Sequence, residues 1–134
     1  MNNTVFQETT SGIVVSVRAE YLDDQSDPEQ GQYAWAYHVR IENDSDRVVQ
    51  LLSRHWKIAD SLGNCQEIIG DGIVGHQPTF GPGDTFEYTS GTPLAAPSGF
   101  MSGTFHMIGE DGVRFEIAVP AFALDGPGAY RALH

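Results

Sequence analysis

Tyr33-Ala34-Trp35-Ala36-Tyr37-His38-Val39-Arg40-Ile41-Glu42 is the stretch that decides how this chain folds. Tyr33, Trp35, Tyr37, Val39 and Ile41 alternate without a break against Ala34, His38, Arg40 and Glu42. Successive side chains of an extended strand point to opposite faces, so five large apolar residues share one face and leave the polar ones on the other. That is a strand with one buried side.

The same period recurs on both sides of it. Ile13, Val15, Val17, Ala19 and Tyr21 alternate with Ser16, Arg18 and Glu20. Val48 to Asp60 reads as a less regular strand, in which Val48-Val49 and Leu51-Leu52 break the alternation in the way a β-bulge does. Cys65 to Ile69 follows a turn at Ser61-Leu62-Gly63-Asn64. Thr85, Phe86, Tyr88 and Ser90 suggest a fifth strand, and Met101, Gly103, Phe105 and Met107 a sixth. Val113, Phe115, Ile117 and Val119 form a seventh, joined to the sixth by Gly109-Glu110-Asp111-Gly112, whose Asp-Gly pair suits a tight hairpin turn. About seven short strands and no amphipathic helical stretch predict an all-β protein, an immunoglobulin-like or fibronectin type III-like β-sandwich, ahead of a closed barrel. The polar, proline-bearing segment Asp23 to Gly31 reads as a flexible surface loop. Residues 1–126 read as one domain and 127–134 as a flexible C-terminal tail.

Composition bounds the function. The chain has 134 residues, 40% of them hydrophobic, enough for one globular core. Eighteen acidic residues against seven basic ones give a net charge of −11, and Lys57 is the only lysine. Such a surface repels phosphate backbones and anionic lipid heads, which argues against nucleic acid and membrane partners. No run approaches the roughly 20 apolar residues of a bilayer span. Cys65 stands alone, so no disulfide can form within the chain, and Met1-Asn2-Asn3-Thr4 lacks the basic start of a secretory signal. Both point to the cytoplasm.

Two local motifs carry candidate chemistry. Gly70-Asp71-Gly72-Ile73-Val74-Gly75 matches the G-x-G-x-x-G spacing of dinucleotide-binding loops. That chemistry requires a helix whose N-terminal amides face the pyrophosphate, and His76-Gln77-Pro78 followed by Gly81-Pro82-Gly83 prevents one. A helix-free alternative is an anion-binding nest of loop amides, with Arg54 and His76 as extra donors. The second motif is Ser53-Arg54-His55-Trp56, a recognition patch in which Arg54 and Trp56 share one strand face and His55 the other. Trp56 on such a face is equally suited to the core, with Arg54 satisfying a buried carboxylate or carbonyl. The five histidines lack metal-ligand spacings, and neither G-x-S-x-G nor another catalytic constellation occurs, so no metal, cofactor or enzymatic activity is expected.

Taken together, Tyr33 to Tyr37, Val49 to Trp56, Gly70 to Pro78, Phe86-Glu87-Tyr88-Thr89-Ser90-Gly91 and Phe122 resemble the ApaG family over roughly Thr9 to Leu124. At Ala95-Ala96-Pro97 the family more usually has a threonine before the proline. The resemblance implies a fibronectin-type sandwich, an indirect link to cobalt and magnesium efflux, association with genes of diadenosine polyphosphate hydrolysis, and a protein-recognition role for related domains of eukaryotic F-box proteins. It supplies no catalytic residues. The expectation is therefore a non-catalytic binding module acting on a protein partner through Arg54, His55, Trp56, Gly70, Gly72, Gly75 and His76. The alternative is a small-ligand binder that holds a pyrophosphate-like anion or a divalent ion at residues 70–75. Exposed edge strands also suit a homodimer.

Overall fold

In a computed structural model, which describes residues 4–126, the chain forms nine strands: β1 (Phe6–Thr10), β2 (Ile13–Tyr21), β3 (Tyr33–Asn43), β4 (Val49–Asp60), β5 (Cys65–Asp71), β6 (Thr79–Phe80), β7 (Thr85–Leu94), β8 (Ser98–Gly109) and β9 (Arg114–Asp125). They make two antiparallel sheets, one in the order β1-β2-β3-β7 and the other β5-β4-β8-β9, with β6 also on β4. This is the expected fibronectin type III-like sandwich. The two added strands, β1 and β6, are short. The segment read as a flexible loop instead holds two single-turn 3₁₀ helices, Asp23–Gln25 and Pro28–Gln30, because Asp27 and Gln32 pair through their backbones and Ser26 Oγ both donates to Leu22 O and accepts from Ala34 N. The tail expected at 127–134 lies outside the described residues.

Alternation places the core where the sequence implied. Ile13, Val15, Val17, Trp35, Tyr37, Val39 and Ile41 of the first sheet meet Val49, Leu51, Trp56, Ile58, Met101, Phe105, Met107, Ile117, Val119, Phe122 and Leu124 of the second. Trp56 is at the centre, 2% exposed, with edge-on ring contacts to Tyr37 at 5.4 Å, Phe105 at 5.9 Å and Phe122 at 6.1 Å. Such geometry adds to simple area burial.

Two bulges keep the apolar sets facing inward. On β4, Leu51 pairs with Met107 and Ser53 with His106, so Leu52 is an extra residue. Before it the odd residues Val49 and Leu51 are buried, and after it the even residues Trp56 and Ile58 are. Without the insertion one of these pairs would face solvent. On β9, Met101 pairs with Phe122 and Gly103 with Val119, which leaves an extra residue at Pro120-Ala121. A bulge is where a strand tolerates proline, since no ladder N–H is needed there.

One side of the sandwich is shut where β1 and β9 pack together and Ala118 N donates to Thr10 Oγ1. The other side, between β7 and β5, has no strand pairing among the described residues and is left as an open seam. Gly103 of β8 makes room for the core at its centre. A Cβ there would lie 2.3 Å from His55 O and 3.2 Å from the Trp56 ring. Gly103→Ala should therefore cost about 1–3 kcal/mol in urea unfolding, the range for overpacking a filled core.

Candidate functional site

The open seam is bordered by β5 on one sheet and β7 on the other, with β6 and the loop from Gly72 to Pro78 at one end. The Leu52 bulge anchors that loop. Leu52 O accepts from Gly72 N at 2.8 Å and from Gln77 Nε2 at 2.9 Å, while Leu51 N donates to Pro78 O at 3.0 Å. Within it, Ile73 and His76 exchange both backbone hydrogen bonds, 2.7 and 2.9 Å, around Val74 and Gly75 with φ of 49° and 81°. Positive φ at both central residues is the signature of a type I′ turn. Valine is strained there by its branched Cβ. Gly72 is obligatory: its φ is 63°, and an added Cβ would stand 2.3 Å from His76 O.

These hydrogen bonds give the glycine motif a different meaning. No helix follows β5, so the spacing is not a dinucleotide loop. The amides of Gly72, Ile73 and His76 all go to carbonyls of the protein itself and do not form a nest. Arg54 lies over Gly70, whose missing side chain gives it space, since a Cβ there would be 3.1 Å from both terminal guanidinium nitrogens. Its Nη1 donates to Asp71 O at 3.1 Å and Gly72 O at 2.8 Å. Arg54 thus satisfies carbonyls, one of the two roles anticipated for it, and ties the loop to the sheet.

The seven residues singled out in sequence separate into three places. Arg54, Gly70, Gly72, Gly75 and His76 gather around the loop, with exposed His76 against Phe86 at a ring distance of 6.3 Å. Trp56 is a correction: it fills the core and is not available to a partner, because the bulge turns it inward. His55 points out of the opposite face, its Nε2 3.3 Å from Glu67 Oε1 but unaligned for a hydrogen bond. Across the seam half-buried Tyr88 has its hydroxyl buried with no hydrogen-bond partner among the described residues, and burial pushes its pKa far above the usual tyrosine value.

Sequence reasoning missed the edge of β5. Asp60 N bonds Asn64 O at one end of the β4–β5 ladder and Gly72 N bonds Leu52 O at the other. With the observed register, Gln66, Ile68 and Gly70 turn their amides and carbonyls toward β4. Cys65, Glu67 and Ile69 turn theirs outward, where no strand among the described residues meets them. Side chains of β5 are exposed from Cys65 to Ile69, Ile69 by 71% and Ile68 by 40%. The signal available in sequence was the lack of a clean alternation at Glu67-Ile68-Ile69. Beyond the start of β5 the seam widens into an open cleft of about 690 Å³, whose walls include Tyr33, Ile58, Asp60, Gln66, Pro93 and Leu94. The Asp60 carboxylate on its rim is held below the usual acid range, foremost by the N–H of Asn64 and further by the Asn64 side chain and Leu62 N–H. Among the described residues no three His, Cys, Asp or Glu side chains converge as a metal site.

Residues 23–109 match the family model described as the ApaG domain. The chain is 55% identical to Protein ApaG of Paramagnetospirillum magneticum over 92% of this chain and 95% of that one. It is 50% identical to Protein ApaG of Parvibaculum lavamentivorans over 97% of this chain and all of that one. A crystal structure of a protein described as ApaA from Bordetella pertussis superposes with a TM-score of 0.84 at 50% identity, covering 86% of this chain and 94% of that chain.

The loop geometry gives opposite expectations for two neighbouring substitutions. Val74→Asn should raise stability by about 0.5–1 kcal/mol, since asparagine accepts a positive φ that valine does not. Gly72→Ala should lower it by about 1–3 kcal/mol, through strain and collision with His76 O. Chemical denaturation of both variants reads the two signs.

Proposed function

The chain belongs to the ApaG domain family, and we propose that it works as a non-catalytic binding module that receives an extended segment of another protein as an added strand on β5. The observation that carries this reading is the outward row of backbone groups at Cys65, Glu67 and Ile69 on an edge strand whose side chains are exposed on both faces. Main-chain hydrogen bonds supply affinity in such strand addition, and pockets for alternate side chains supply specificity. Ile69 and Glu67 flank the edge on one side and Ile68 and Gln66 on the other, next to the cleft.

Charge indicates the kind of segment. Glu20, Asp23, Asp24, Asp27 and Glu29 follow one another with no Lys or Arg between Arg18 and Arg40, and Asp60 stands on the cleft's rim. A segment with apolar residues flanked by Lys or Arg complements that end of the seam. No helix among the described residues is long and apolar enough to cross a membrane. A link to cobalt and magnesium efflux therefore runs through the protein that is bound. The small-ligand alternative has less support, because the amides of Gly72, Ile73 and His76 are already engaged and Arg54 donates to Asp71 O and Gly72 O.

A random-peptide display library panned on the full chain tests the proposal. Enriched peptides should be extended and basic, and their binding, measured by fluorescence anisotropy, should fall at least tenfold in Ile69→Pro but much less in Ile69→Ala. That proline removes an outward N–H only, which an edge strand tolerates. Absence of enriched peptides, or equal binding by Ile69→Pro, would sink the idea. A rise in melting temperature with Mg²⁺, Co²⁺ or pyrophosphate alone would favour the small-ligand reading instead.

A further inference from the structure

Past the start of β5 the two sheets part, and the cleft between them has one chemical peculiarity. Asp60 is the only Asp, Glu, Lys, Arg or His among the residues that line its volume of about 690 Å³. It shares the inward face of β4 with buried Ile58, and no Lys, Arg or His among the described residues pairs with it. Its carboxylate accepts from Leu62 N and Asn64 N at 2.9 Å each and from Asn64 Nδ2 at 3.1 Å. Those donors hold the charge in place without neutralising it, and a carboxylate accepts roughly four hydrogen bonds, so Oδ2 keeps room for another. Opposite stand Leu94 and its cross-strand partner Tyr33, a half-buried ring backed by Trp35 at 6.5 Å. The side-chain amides of Gln25, Gln32 and Gln66 also line the cleft and hydrogen-bond to nothing among the described residues.

We propose that this cleft seats an arginine side chain supplied by the segment that adds to β5; the source of the arginine rests on the strand-addition reading, while the seat itself does not. A lone carboxylate between apolar walls calls for a cation that also has an apolar stem. A divalent ion is the wrong shape of ligand, since it gathers several oxygen ligands, and no three acidic, His or Cys side chains converge here among the described residues. Of the two basic side chains, the guanidinium fits better. It is planar, is less strongly hydrated than an ammonium, and stacks on an aromatic ring, here that of Tyr33. Its five N–H donors exceed what Asp60 has left to accept, and the amide oxygens of Gln25, Gln32 and Gln66 are the acceptors at hand for the rest. Gln66 lies on the seam side of β5 with Ile68. A segment paired with the outer edge of β5 and running past Cys65 therefore delivers its seam-side side chain into the cleft.

Nuclear magnetic resonance of the isotope-labelled full chain tests the seat with a probe too short to add a strand, N-acetyl-arginine methylamide. Saturable amide shifts should cluster at Tyr33, Asp60, Asn64 and Cys65, with a dissociation constant of about 1–10 mM, the range for a small ligand making few contacts. The lysine analogue should bind more weakly and the neutral citrulline analogue should shift none of these residues. Asp60→Asn should abolish binding. Because that change also touches the turn, Gln66→Lys at an exposed position is the second variant, and its ammonium should weaken binding about tenfold by occupying the carboxylate. Ile69→Pro should leave probe binding unchanged although it removes strand addition, so the two readings fail separately. In peptides enriched on the chain, replacing the arginine by citrulline should cost about tenfold on wild type and little on Gln66→Lys. Equal shifts from citrulline, binding retained in both cleft variants, or no saturable shift at the cleft overturns the seat. A lysine analogue that binds as tightly overturns the choice of arginine, and peptides indifferent to citrulline overturn its source.

Discussion

The extra residue at Leu52 is the constraint on which this structure depends. A strand has period two, so one inserted residue exchanges its faces. Upstream of Leu52, β4 buries Val49 and Leu51, and downstream it buries Trp56 and Ile58. The same shift carries Arg54 to the inward side, over Gly70, and His55 to the outside. The bulged residue's carbonyl then accepts two hydrogen bonds from the loop that separates β5 from β6. Core, seam and loop are all consequences of one irregularity.

That irregularity explains what was legible in the sequence. Unbroken alternation at Tyr33–Ile41 and Ile13–Tyr21 made two strands and their buried faces readable, because the pattern is local. The apolar pairs around residues 48–52 announced a bulge for the same reason. The inward position of Trp56 was not readable, since it depends on counting from an insertion whose site the sequence left open. β6 is two residues long and exists because Phe80 and Thr79 meet Val49 and Gln50, a contact that no local pattern records. β1 has mostly exposed side chains and owes its place to β2 and β9.

The candidate site shows the same division. The glycines at 70, 72 and 75 were conspicuous, and each has a separate structural cause: space beneath a guanidinium, a positive φ under a crowding carbonyl, and the tip of a tight turn. Their spacing imitates a nucleotide motif without its helix. The edge of β5, by contrast, is a property of backbone groups, and every residue carries those alike. Only the register shows that Cys65, Glu67 and Ile69 face away from β4.

The placement of β9 has a consequence for biosynthesis. It is the last of the described strands to leave the ribosome, and it brings Ile117, Val119, Phe122 and Leu124 into the core. Trp35 Nε1, on the third strand to be made, waits for the carbonyl of Asp125, 90 residues later, at 3.1 Å. Until then β8 is an open edge, and the apolar faces of both sheets lack part of their cover. A nascent chain of this design cannot complete its core until β9 has emerged. Until then it folds only in part, and that interval is when chaperone protection matters most.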